Sequence, residues 1–382
     1  MDWDFNVPVK TYEYELEEFK ERLGKYTKDE YKNTKIVLIA SKRLIKTFEL
    51  ENLISEFTKN ESFKLIDVSI ANPDTHLIHE IFNQITEKPD LIISIGGGST
   101  IDFAKAISGL YSYSDNGKIS IDEILDLLKT KEYTANTDYI TIIAAPTTSG
   151  TGSECTKWAT IWDFDNSKKY SIDADYLYPI EAWLVPELTA TLPPRLTLAT
   201  SLDALSHAVE AYWSKSTNKI IQILARDAIK LVVKYLPLTL NDLENIEYRE
   251  KLMFASFFAG LAFSNTRTTA CHSISYPLTM KFGIEHGFAV NLTLIEVFKR
   301  NYEFIPDFDE FLEAWNAKSI EDVENWMNNV CSGVQKLKLS EFGVKEEDID
   351  EVVDLTFTAG RMDNNPIVFS EEEVTEILHD IL

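Results

Sequence analysis

The chain has 382 residues, more than a single hydrophobic core usually serves, so two domains are expected. With 45% hydrophobic and 12% aromatic residues it cannot be a disordered chain. Its 62 acidic residues outnumber 37 basic ones, and the formal charge of −25 repels phosphodiester backbones and anionic lipid, which argues against nucleic acid or a membrane as partner.

Cys155, Cys271 and Cys331 are too few and too scattered for a disulfide framework or a CxxC metal site. The acidic start MDWDFNVPVK has no apolar core of a signal peptide. No apolar run approaches the ~18 residues that a membrane span needs. A cytoplasmic setting is the expectation.

In chain order, the first half alternates strand and helix signals. Lys35–Ala40 is a continuous apolar run of the kind a parallel strand buried on both faces requires. A helix is expected over Leu50–Phe57, a strand over Phe63–Val68, and a further helix after Asn72-Pro73 to about Glu87. Asp90–Ile95 reads as a strand running into Gly96-Gly97-Gly98-Ser99-Thr100 and then a helix, and Tyr139–Ala145 as a strand entering PTTSGTGSE. Repeated units of this kind predict an open parallel sheet over residues 1–190. Beyond Pro193-Pro194 the pattern is helical, clearest at Ala199–Trp213, Ile220–Leu236, Tyr248–Phe263 and Val323–Leu337, so 191–382 is expected to be an all-α domain.

Two loops suit a phosphate-bearing ligand. Glycines between a buried strand and a helix allow close backbone approach, and the helix N-terminus offers N–H groups and a positive dipole end. A tight turn without a ligand would use the same residues. The Gly96–Ser99 loop does not form the GxGxxG fingerprint. The loop Pro146–Glu154 follows another strand and supplies hydroxyls, so together the two make halves of a dinucleotide site.

The chain has six histidines. Asp203 and His207 are four apart on an expected helix, hence on one face. A buried, hydrogen-bonded structural pair explains them as well as a metal does. His272 and His286 add two imidazoles, and three neutral nitrogens with one carboxylate suit a catalytic Fe²⁺ or Zn²⁺. His76, His79 and His379 stand among polar residues and read as surface histidines.

Taken in order, DLIISIGGGSTIDFAKAI, APTTSGTGSE, PPRLTLATSLDALSHAVEAYWS, the Cys271–Gly287 segment ending in IEHG, and the tail from Asp363 resemble the iron-containing (group III) alcohol dehydrogenase family. That resemblance implies a dehydroquinate synthase-like fold, an α/β dinucleotide-binding domain followed by a helical metal domain. It implies a homodimer that interconverts a primary alcohol and an aldehyde with NAD(P)H. The metal ligands it implies are Asp203, His207, His272 and His286. Gly97, Gly98, Ser99 and Asp102 would hold pyrophosphate and ribose, Thr147, Thr148 and Thr151 the nicotinamide and adenosine side, with Asn72 nearby and Lys169 on a ribose.

Three departures stand out. Tyr276 replaces a family histidine four residues after the third ligand, so its hydroxyl or a water is the candidate acid/base. Ser41-Lys42-Arg43 replaces the aspartate that excludes a 2′-phosphate, which leans the cofactor toward NADP. FNVPVKTYEYELEEF replaces the usual N-terminal strand pair. The stretch SNTRTTA through YPLT is similar to the phosphonoacetaldehyde dehydrogenase branch and makes Arg267 a candidate clamp for an anionic substrate; an internal ion pair in an acidic protein fits the same arginine. Competing readings are a glycerol dehydrogenase or other dehydroquinate-synthase-like enzyme, and a degenerate binding protein without catalysis.

Overall fold

The computed structural model describes residues 6–28, 31, 33–57, 59, 62–68, 72–166, 168–357 and 362–382, so the first five residues of the acidic N-terminal stretch lie outside it. The chain forms two compact units. One comprises 7–148 and 153–189; the other comprises Ala190–Leu382 with Asn6 and Ser149–Gly152. The last of these groups with the helices for a steric reason. A Cβ on Gly150 would meet Thr200 at 2.9 Å, and one on Gly152, whose φ is +58°, would meet the Gly260 Cα at 2.6 Å.

The α/β unit contains β1 (Lys10–Glu13), α1 (Leu16–Gly24), β2 (Ile36–Ile39), α2 (Lys42–Thr47), α3 (Glu51–Phe57), β3 (Phe63–Ile66) and α4 (Thr75–Phe82). It continues through β4 (Leu91–Gly96), α5 (Gly98–Leu110), α6 (Ile121–Thr130), β5 (Thr141–Pro146), β6 (Trp158–Asp163), β7 (Lys168–Asp173) and β8 (Glu181–Leu184). Among the described residues, six strands form a parallel sheet in the order β1-β8-β5-β4-β2-β3, while β6 and β7 form an antiparallel ribbon. Alternate residues of β2 feed two cores: Val37 and Ile39 pack with Ile92, Phe103 and Ile107, whereas Ile36 and Leu38 pack with Ile93, Phe19 and Trp183. This is why the strand is apolar throughout.

The expected helix over Leu50–Phe57 is preceded by a second short helix, and Glu49, at φ 55°, makes the break. The altered N-terminus supplies one parallel edge strand, β1 on β8, with all four residues exposed.

The second unit is helical: α7 (Pro194–Trp213), α8 (Lys219–Asn241), α9 (Ile246–Ser264), α10 (Ala270–Phe282), α11 (His286–Leu292) and shorter helices to the C-terminus. The helix expected over Val323–Leu337 runs only Ile320–Cys331, because Ser332 leaves the helical region and Gly333 turns left-handed at φ 81°. No helix among the described residues is long and apolar enough to cross a membrane.

Candidate metal centre and cofactor loops

Proline at the first helical position starts α7, and from Ser201 to Trp213 every residue is buried. A helix buried all round admits polar side chains only where partners await them. Asp203, His207 and Glu210 recur at helical spacing on one face and are 4%, 6% and 0% exposed.

His272 reaches the same place from the first turn of α10, which Gly283 closes in the left-handed region at φ 65°. His286 is the first residue of α11, whose seating on α7 is fixed by three neighbouring contacts. Arg195 forks onto Glu285 through Nε at 2.8 Å and Nη2 at 2.5 Å. Gly287 lies against the Ala199 backbone. Asn291 donates to the Leu202 carbonyl at 2.8 Å.

Asp203, His207 and His272 offer ligand atoms that all lie within 4.8 Å of one another. His207 Nε2 and His272 Nε2 are 3.0 Å apart. Asp203 Oδ1 is 3.9 Å from His207 Nδ1 and from His272 Nε2, and 3.8 Å from His286 Nε2. Ligands about 2.0–2.2 Å from one ion can span up to roughly 4 Å, which the Asp203–His272 and Asp203–His286 separations meet; His207 turns Nε2 to His272 and Nδ1 to Asp203, and one of the two nitrogens would bind the ion. One hard carboxylate with imidazoles suits Fe²⁺ or Zn²⁺. The residues therefore fit the group. Phe263 lies parallel to the His207 ring at 4.1 Å between centroids, holding its plane.

Sequence reasoning passed over Glu210. Its Oε1 accepts from Thr269 N at 3.1 Å, Thr269 Oγ1 at 2.6 Å and Cys271 N at 2.9 Å, and its Oε2 faces His272 Nδ1. Burial pushes its carboxyl up to about 7 against the pull of these donors and of His207. The available signal was its position, seven residues after Asp203 on the same helix.

Tyr276 is 9% exposed, and its ring lies parallel to that of His286 at 6.2 Å. Arg267 is exposed and sits left-handed at φ 64° where α9 ends, its N–H donating to the Phe263 carbonyl at 2.8 Å. Asn364 Nδ2 donates to the carbonyls on either side, Thr266 at 2.8 Å and Thr268 at 3.1 Å. His76 pairs with Asp165 at 2.6 Å and His379 with Glu346 at 3.3 Å, both exposed, while His79 is half-buried.

In the α/β unit, the carboxyl ends of neighbouring strands β2, β4 and β5 carry Ser41, Gly97–Ser99 and Thr147–Thr148 respectively. The strand order reverses between β2 and β4, the place where such sheets bind ligands. Thr147 N donates to the Gly96 carbonyl at 3.0 Å, and a Cβ on Gly97 would meet the Thr148 side chain at 3.3 Å. No side-chain cap closes the α5 N-terminus at Gly97. Ser41 caps α2 instead, accepting from Leu44 N at 3.2 Å.

The neighbouring Lys42 pairs with Asp67 at 3.0 Å, and Asp67 also accepts from Lys42 N at 2.8 Å, a bond that lowers its pKa. The sequence reading of Ser41-Lys42-Arg43 did not anticipate that partner for Lys42. Asn72 is exposed. Lys169 Nζ lies over the Trp162 ring at 5.7 Å. Asp102 accepts from Ser153 Oγ at 2.6 Å and Thr160 N at 2.9 Å, and burial raises its pKa. Lys105, also absent from the sequence reading, is fully buried and donates to Ser153, Thr156 and the Trp158 carbonyl. Thr151 groups with the helical unit.

The iron-containing alcohol dehydrogenase family model matches residues 16–186, and the model of the C-terminal part of the Fe-containing alcohol dehydrogenase family matches 197–382. The NAD-dependent methanol dehydrogenase of Bacillus methanolicus is 32% identical over 353 residues, 86% of this chain and 88% of that one. The phosphonoacetaldehyde reductase of Streptomyces viridochromogenes is 34% identical over 217 residues, 56% of this chain and 54% of that one. The crystal structure of sulfoacetaldehyde reductase from Bifidobacterium kashiwanohense with NAD+ superposes with a TM-score of 0.86 at 29% identity, covering 100% of this chain and 99% of that chain. Family models thus match both halves of the sequence, and the chain belongs to the iron-containing alcohol dehydrogenase family, as an alcohol dehydrogenase or aldehyde reductase.

Proposed function

We propose that the chain reduces a small anionic aldehyde to its primary alcohol, with phosphonoacetaldehyde to 2-hydroxyethylphosphonate as the candidate pair. Asp203, His207, His272 and His286 are the residues that would hold the metal, Fe²⁺ or Zn²⁺. The convergence of one carboxylate and three imidazoles carries this reading. The chemistry supplied by such groups when bound is polarisation of a carbonyl oxygen by the ion and exchange of a hydride with nicotinamide.

The chain's own residues do the rest. In this reading Tyr276 delivers the proton to the product oxygen. Gly97, Gly98, Ser99 and Asp102 seat the cofactor phosphates and ribose, with Thr147, Thr148, Thr151, Asn72 and Lys169 around the remainder. Residues 1–190 serve the cofactor and 191–382 the metal and substrate.

Support for an anionic substrate comes from Arg267. It stands exposed five residues before His272, at a left-handed position where glycine would be less strained. Its planar fork of donors matches a phosphonate or sulfonate. Two of the similar proteins are named as reductases of aldehydes that carry such groups. NADP is the favoured cofactor because Arg43 stands two residues after Ser41, where the family aspartate is missing; Lys42 contributes less, its charge being shared with Asp67.

The test is steady-state reduction of phosphonoacetaldehyde, sulfoacetaldehyde and propanal by the metal-loaded chain with NADPH or NADH. Higher kcat/KM for the anionic aldehydes is expected. Arg267→Ala should lower it about 10- to 100-fold for those two, as for loss of a charged hydrogen bond, and spare propanal. Preference for propanal, or an equal loss on all three, would sink the anionic reading.

A further inference from the structure

Glu210 lies at the centre of this region yet outside the four-residue ligand set. It is wholly buried, as are its partner Thr269 and, nearly so, His272 and Trp213. A carboxylate so placed needs several donors to offset its desolvation.

We propose that Glu210 is the positioning residue of the metal centre: its Oε2 keeps the His272 proton on Nδ1, which leaves Nε2 as an acceptor turned toward Asp203 and His207. The inference rests on the reading of those residues as metal ligands.

The argument begins with donor inventory. Four donors converge on Oε1, the Thr269, Cys271 and His272 N–H groups and the Thr269 hydroxyl, an environment built for a carboxylate that accepts, so the ring nitrogen facing Oε2 donates. A neutral imidazole has one donor and one acceptor, and Nδ1 faces Glu210. Nε2 is then the atom with a lone pair, and it lies 3.0 Å from His207 Nε2 and 3.9 Å from Asp203 Oδ1. Carboxylates that orient a metal-binding imidazole in this way also raise its basicity.

The other oxygen does a separate job. Thr269, at the N-cap of α10, gives its helix no side-chain cap, and Glu210 Oε1 accepts from Cys271 N at 2.9 Å and His272 N at 3.4 Å in its place. Thr269 Oγ1 donates to that oxygen at 2.6 Å and accepts from Trp213 Nε1 at 3.0 Å, so the carboxylate is held rigidly between two helices. One side chain on α7 therefore fixes the start of α10, the plane of His272 and its tautomer.

Glu210→Gln separates the two jobs. With its carbonyl on the backbone donors, the amide NH₂ faces His272 Nδ1 and drives the proton to Nε2; turned over, it loses the cap. Zn²⁺ and Co²⁺ affinities of the metal-stripped chain are measured for wild type, Glu210→Gln, Glu210→Ala and Thr269→Val, together with the melting temperature of each stripped form. Glu210→Gln should weaken both metals about 10- to 100-fold, whereas Thr269→Val, which leaves the Glu210–His272 pair intact, should lower the melting temperature and keep the affinity.

Wild-type affinity in Glu210→Gln, or an equal loss in Thr269→Val, overturns the proposal. Should Glu210→Gln not fold, ¹⁵N spectra of histidine-labelled wild-type chain decide, with His272 assigned by its absence in His272→Asn: a proton on Nδ1 is expected, and one on Nε2 overturns the proposal. Wild-type chain that takes up neither metal would defeat the ligand reading itself, a result distinct from both.

Discussion

Gly287 is pressed against Ala199 so closely that a Cβ built on it would lie 1.8 Å from the Ala199 carbonyl oxygen and 2.7 Å from its carbonyl carbon. The glycine is dictated by helix contact, since its φ is not left-handed. This contact brings His286 beside Asp203. Gly287→Ala must push α11 away from α7, at roughly 1–3 kcal/mol for overpacking, and should weaken Zn²⁺ binding at the same time. Gly283→Ala is the control. That glycine is left-handed at φ 65° with nothing within 4 Å, so the same methyl should lower the melting temperature and leave metal affinity unchanged. Equal metal affinity in both variants would detach His286 from the centre.

Tyr276→Phe removes one hydroxyl and keeps the ring that lies parallel to His286. If that hydroxyl delivers the proton, kcat for aldehyde reduction falls about 10²-fold or more while Zn²⁺ affinity holds. A kcat equal to the wild type's would assign the proton to water.

Arg43→Asp restores a carboxylate near the end of β2. The ratio of kcat/KM for NADPH over NADH should drop about 10- to 100-fold, the worth of a charged hydrogen bond. Asp67→Asn acts in the opposite sense by releasing Lys42, and should raise the same ratio. An unchanged ratio in both would place the 2′-phosphate, when present, away from this corner.

Burial pushes the Glu154 carboxyl up to about 7 from an ordinary 4.5, with the buried Lys105 ammonium pulling the other way. The unfolded chain loses this proton near 4.5 and the folded chain near 7, so the folded state binds the extra proton between those values. Its contribution to stability is complete below the lower value and fades as pH rises through the upper one. Glu154→Gln should therefore gain on the wild type between pH 5 and 8 by on the order of 3 kcal/mol, followed by chemical denaturation. A gap that does not grow with pH would mean that Glu154 is ionised at little cost.

The sequence made some of this readable and hid the rest for physical reasons. β2, β4 and β5 are apolar on both faces, so their runs needed no choice of period. β1, Lys-Thr-Tyr-Glu, is exposed at every residue and β8 opens on a glutamate, so neither reads as an apolar run, and the half-exposed β7 shows itself only through its antiparallel register with β6. α10 carries Pro277, which disguised the helix that brings His272 inward. Imidazoles are scarce here, so three of them near one aspartate drew attention. Glu210 is one of 62 acidic residues, and its donors lie 59 to 62 residues along the chain, beyond any local signal. Asp67 escaped notice for the same reason, since only the pairing of β2 with β3 sets it beside Lys42.

The outer strand β1 has a consequence for life in a crowded solution. A row of backbone donors and acceptors at a sheet margin invites strands from other molecules, the first step of fibrillar growth. Here that margin is four residues long and reads Lys-Thr-Tyr-Glu, all of them in water. An incoming strand would have to strip hydration from an ammonium and a carboxylate for very few hydrogen bonds, which makes this margin a poor template for clumping.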